Sequence, residues 1–140
     1  MSREPEEHPI ILMLEGDEDD RFITSNFFEE ANYPVRLEFV HSSAELQQYL
    51  SACEKFPALI LLSQQAGPKS VTEILRQIKS DPAHRHIPAV VLGGVLDPGM
   101  VKEYYACGAS SFIEKPAGTV ATRAKIESFF RYWFETVELV

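Results

Sequence analysis

Four places in the chain set small or polar residues directly behind a short apolar run. Glu15-Gly16-Asp17 follows PIILML (9–14), Ser63 and Gln65 follow ALILL (58–62), Gly93-Gly94 follows PAVVL (88–92), and Lys115-Pro116 follows the run 110–114. Glu15 and Lys115 are a carboxylate and an ammonium, and the reading favoured for them is an ion pair. Ser63 carries a hydroxyl, which attacks phosphorus only when an adjacent base takes its proton. No histidine lies at any of the four positions. Gly16 and Gly93 let backbone bend or pack closely. Asp17 begins the turn into a helix, and Asp19 and Asp20 read as acids at that helix start, where exposed N–H groups favour negative charge. His41, His84 and His86 read as surface or loop residues.

The elements that position these residues follow from periodicity. Continuous apolar runs of five or six residues fit strands covered on both faces. Between them lie helical stripes: Phe22, Ile23, Phe27 and Phe28; Leu46, Tyr49, Leu50 and Cys53; Val71, Ile74, Leu75 and Ile78. Pro34, Asp81-Pro82 and Gly108 end helices. Val35–Val40 alternates as a strand nearer an edge. One long helix is expected from about Gly118 onward. Strand and helix thus alternate five times, which predicts a three-layer α/β domain with a parallel sheet. Right-handed crossovers favour the flavodoxin-like strand order 2-1-3-4-5. The functional crevice of such sheets lies at the carboxyl ends of the strands, where the four polar positions fall.

Several stretches resemble response-regulator receiver domains, and in particular the single-domain receivers partnered with bacterial phytochromes. They are LMLEGDEDDR (12–21), LRQIKSDPAHRHIP (75–88), GASSFIEKP (108–116) and YWFETVEL (132–139). The resemblance implies an acidic pair after the first strand, a phosphoryl-accepting Asp after the third, a hydroxyl residue after the fourth and Lys-Pro after the fifth. In a receiver of that kind the carboxylates hold Mg²⁺ through oxygen ligands. Metal and lysine then neutralise charge during transfer, and the hydroxyl draws in the switch loop. Here Glu15 matches the first acid and Lys115-Pro116 matches the last pair, for which the resemblance implies a cis peptide. Gly16 replaces the second acid, Ser63 the acceptor and Gly93 the switch hydroxyl. Gln65 stands where a backbone carbonyl would ligate the metal, and Phe112 takes the aromatic switch position. The expectation is a degenerate receiver with no resident cofactor and weak or absent Mg²⁺ binding. It is not an enzyme but an interaction module, whose partner is a histidine kinase, a phytochrome-like sensor or another response regulator. The alternatives are a relay through a non-standard acceptor, and a small-anion sensor using the pocket near Lys115.

The aromatic run Phe129, Phe130, Tyr132, Trp133, Phe134 spreads over about 200° of a helix, against the ~100° that one buried stripe needs. A homodimer face is therefore expected, built from Met100, Tyr104, Phe130, Trp133, Phe134 and Val137; receivers of the resembled type tend to dimerise through this region. The bulk properties set outer limits. A length of 140 residues fits one domain over 9–140 behind a short polar tail, 1–8. A net charge of −8 argues against a nucleic-acid partner. No run reaches membrane-spanning length. Cys53 and Cys107 match no metal spacing and read as buried or half-buried thiols, which places the chain in a reducing, cytoplasmic setting.

Overall fold

The computed structural model describes residues 8–64, 70–94, 97–115 and 119–139. Strands β1 (Ile10–Leu14), β2 (Arg36–Val40), β3 (Leu59–Ser63), β4 (Ala89–Gly93) and β5 (Ser111–Glu114) form one parallel sheet in the order β2-β1-β3-β4-β5. This is the expected order 2-1-3-4-5. Helices α1 (Glu18–Ala31), α2 (Ser43–Ala52), α3 (Val71–Ser80), α4 (Pro98–Ala106) and α5 (Thr119–Phe130) connect the strands and close the chain. Every residue of β1 and β3 is buried, as a central parallel strand requires.

Alternation along each strand divides the core into two layers. Leu12, Leu14, Ile60 and Leu62 face α2, α3 and α4, against Leu46, Leu50, Ile74, Leu75 and Ile78. Ile11, Met13, Leu59, Leu61 and Val90 face the other way, towards Phe28 of α1 and the aromatic end of α5. Helix starts are fixed as the sequence implies. Asp17 Oδ1 accepts from the Asp20 N–H at 2.9 Å, and Ser42 and Ser70 cap α2 and α3 through the N–H groups of Glu45 and Glu73. Gly108 ends α4 with φ at +107°, where a Cβ would also lie 2.6 Å from Lys79 Cγ. Burial lowers the pKa of Lys79, whose ammonium donates to the carbonyls of Arg85 and Ile87. Both cysteines are half-buried free thiols.

Two expectations need correction, and one is met in part. The stripe on α1 is incomplete: Phe28 packs on the core, but Phe22 is 66% and Ile23 48% exposed, and no α1 residue is fully buried. Phe22 sits about 120° around the helix from Phe28, outside the face that meets the sheet. His84, read as a surface or loop residue, lies in the turn that follows α3. It is buried, with Nδ1 3.2 Å from Asp81 Oδ2 and its ring edge-on to Phe56. The last helix is not uniform: after Phe130 the chain widens into a π-helical turn, Arg131–Thr136, closed by the Val137 N–H donating to the Tyr132 carbonyl at 3.0 Å. Phe130, at the end of α5, and Trp133, within that wider turn, are both buried, and Phe130 stacks on Tyr33 and Phe134. Val137 and Leu139 fold back onto the same cluster.

The α2 side of β2 carries a titrating contact. The Tyr49 hydroxyl donates to Glu38 Oε2, and burial, followed by that bond, raises the tyrosine pKa above its ordinary 10. The folded state therefore holds this proton more tightly than the unfolded chain does. The contribution is complete below pH 10 and is lost as pH rises beyond it. Urea midpoints measured from pH 8 to 11 should fall above pH 10, and Tyr49→Phe should flatten that fall. An unchanged slope in the variant would place the titrating group elsewhere.

Candidate functional site

Three strand ends converge on one ammonium. Glu15, the first residue past β1, is 3% exposed, and its backbone N–H donates to the Val40 carbonyl at 3.1 Å. Ser63 closes β3 and is 2% exposed. Lys115 follows β5, and its backbone N–H donates to the Gly93 carbonyl at 2.7 Å, which aims the side chain back over the sheet. Lys115 Nζ then donates to Glu15 Oε1 at 3.1 Å and to Ser63 Oγ at 3.2 Å, with Asp20 Oδ2 at 3.5 Å. The expected Glu15–Lys115 pair is formed.

The remaining bonds hold the pair in place. Glu15 Oε2 accepts from the Asp17 N–H at 3.3 Å, and the Glu15 carbonyl accepts from Arg21 Nη1 at 2.7 Å. Asp17 is exposed and spends its carboxylate on the helix cap, so it does not replace the acid absent at Gly16. Sequence reasoning missed Asp20. One helical turn beyond the Asp17 cap, it reaches Lys115 rather than solvent alone. The signal available was that three-residue spacing from the cap. Gln65, Pro116 and the peptide joining Lys115 to Pro116 lie outside the described residues.

At the fourth strand end, Gly93 is buried. A Cβ there would overlap Gln64 Oε1 and lie 2.8 Å from Phe112 Cε2 and Cζ. Gln64 was not foreseen as a site residue, although it stands directly after Ser63. Its Nε2 donates to the Tyr104 hydroxyl at 2.8 Å, and the Tyr104 ring stacks on Phe112 at 5.9 Å. Of the expected dimer-face residues, Tyr104, Phe130 and Trp133 are buried within the chain and have no surface to offer. Phe134 and Val137 are half-buried, and Met100 is exposed.

The arrangement bears on chemistry in two ways. Ser63 Oγ accepts a bond from an ammonium, and among the described residues no carboxylate or imidazole accepts its proton. The second concerns a divalent ion, which takes oxygen ligands. Among the described residues no three His, Cys, Asp or Glu side chains cluster for a metal, and the Lys115 ammonium itself sits between Glu15 and Asp20. Beside the site a cavity of about 410 Å³ opens between α1 and α5, lined by Met13, Ile23, Phe27, Ile113 and Phe129 among others. Among the described residues no helix is long and apolar enough to cross a membrane.

No family model matches the sequence. Solved structures do resemble it. The phosphorylated cyanobacterial phytochrome response regulator RcpA is 26% identical, with a TM-score of 0.85 over 94% of this chain and 98% of that one. A response regulator in red light signalling of R. palustris is 22% identical, with a TM-score of 0.86 over 94% and 98%. The Mn²⁺-bound response regulator Rcp1 is 22% identical, with a TM-score of 0.83 over 94% and 99%. Among curated proteins, response regulator PleD of Caulobacter vibrioides is 31% identical over 81 residues, 58% of this chain and 18% of PleD. The 3',5'-cyclic-nucleotide phosphodiesterase regA of Dictyostelium discoideum is 24% identical over 119 residues, 84% of this chain and 15% of regA. The chain spans less than a fifth of the length of either curated relative. The chain thus shares the fold of these response regulators over nearly its whole length, and it is similar in sequence to RcpA and to part of PleD.

Proposed function

We propose that the chain is a degenerate receiver that docks onto a signalling partner and takes no phosphoryl group on an aspartate. One observation carries this reading: a buried neutral hydroxyl, Ser63 Oγ, bonded to Lys115 where an anionic nucleophile would have to stand. The pocket supports no substitute route. The Glu15 and Asp20 carboxylates already engage the Lys115 ammonium, which leaves it less able to hold a phosphodonor or a free anion. With the second acid absent and Lys115 among the remaining carboxylates, Mg²⁺ binds weakly if at all.

The docking surface is α1. Phe22 and Ile23 stand exposed in its first two turns, beside the pocket and on a helix with no fully buried residue. Neighbouring large apolar side chains left exposed on a protein surface favour a protein partner. The partner of this reading is a histidine kinase, a phytochrome-like sensor or a second response regulator. The chain would hold a docking surface that a phosphorylatable receiver also uses.

The test is a phosphotransfer reaction with a histidine kinase and receiver pair from the same genome. The chain is added in excess, with Mg²⁺ and, in a parallel sample, acetyl phosphate. Intact-mass measurement should show no added phosphoryl group on the chain, while transfer to the other receiver slows. A gain of one phosphoryl mass overturns the first half of the reading. Undiminished transfer with every such pair overturns the second.

A further inference from the structure

Gln64 stands where β4, α4 and β5 meet. Its backbone N–H donates to the Leu92 carbonyl at 2.8 Å, which fixes it to β4. Its side chain then passes over Gly93 and donates to the Tyr104 hydroxyl of α4 at 2.8 Å. Tyr104 is buried, and its ring stacks on Phe112 of β5. The next residue, Tyr105, accepts the Phe112 N–H on its hydroxyl at 3.2 Å. The amide of Gln64 and the ring of Phe112 fill the space that any side chain at position 93 would need. Glycine there is what lets both groups in.

We propose that Gln64 is an internal strut that holds α4 and Phe112 in one arrangement with no phosphoryl group present. The inference rests on the reading of the chain as an unphosphorylated receiver and adds to it that the α4 face has a single state, which no phosphodonor is needed to set. The physical basis is the cost of the alternative. Withdrawing Gln64 would leave the Tyr104 hydroxyl buried and open a void over Gly93. A two-state element needs two arrangements of comparable energy, and this packing removes one of them.

Amide hydrogen exchange on the free protein tests the strut without partner or phosphodonor, so its outcome is independent of the phosphotransfer experiment. Exchange reports local opening of a helix. Tyr104→Phe keeps the ring and removes the hydroxyl, and Gln64→Met keeps the length and removes the amide. Each should speed exchange of the α4 amides 101–106 at least tenfold and leave α2 and α3 unchanged. The double variant should open no faster than the faster single, because both remove one bond. Gly93→Ser should open α4 similarly, since its side chain must expel Gln64 or Phe112. A change under twofold in Tyr104→Phe, additive effects in the double variant, or native exchange in Gly93→Ser would each overturn the strut.

Discussion

Lys115→Met should destabilise the protein by about 2–4 kcal/mol, with the buried Glu15 carboxylate as the cause. The Lys115 side chain is 34% exposed, but that of Glu15 is only 4% exposed. Removing the ammonium deletes the cation that pairs with a carboxylate that water barely touches. Asp20 adds to the effect, because it would face Glu15 without the charge that now separates them. Methionine keeps most of the lysine stem, so lost packing contributes little. Glu15→Gln in the same background should recover most of the loss, since removing both charges of a buried pair is far cheaper than stranding one. Urea denaturation of the two variants and the parent measures this. A loss below 1 kcal/mol in Lys115→Met, or no recovery in the double variant, would mean that the pair does not organise the pocket.

Backbone features of the fold were legible because local patterns encode them. Continuous runs such as 58–62 mark strands buried on both faces, Ser42 and Ser70 mark helix starts, and Gly108 marks a stop. The strand ends followed from the strands, and with them the meeting of Glu15, Ser63 and Lys115. What sequence could not supply was side-chain reach. Asp20 reads as one more acid in a helix start, and only the path of α1 over the strand ends brings it to Lys115. Gln64 is adjacent to a marked residue, yet its role depends on Tyr104, 40 residues away, and on a vacancy at Gly93. Gly93 read both as a missing switch hydroxyl and as a point of close approach, and in space it is room for two neighbours. The α1 stripe failed for a related reason: apolar composition does not say how closely a helix sits on its sheet.

The aromatic terminus gives the sharpest contrast between pattern and structure. On a regular α-helix its side chains would spread too widely for one core, which led to the expectation of a homodimer face. The π-helical turn Arg131–Thr136 changes the angles, and the Val35 and Leu37 side chains, with Tyr33, widen the surface that receives them. Trp133, 8% exposed, then packs in the layer of Ile11, Met13, Leu59 and Leu61. Trp133→Ala should therefore cost about 3–5 kcal/mol, the range for deleting a large aromatic from a core. Tyr132→Ala, at a 53% exposed neighbour, should cost under about 1 kcal/mol. The two origins of such a loss separate by concentration. Core packing lowers the melting temperature equally at every protein concentration, whereas a subunit contact makes it concentration-dependent in the parent and removes that dependence in the variant. Calorimetry of parent and Trp133→Ala over a hundredfold range of concentration should show parallel, flat lines. A parent midpoint that climbs with concentration, and a variant that matches it when dilute, would return Trp133 to an interface between two copies.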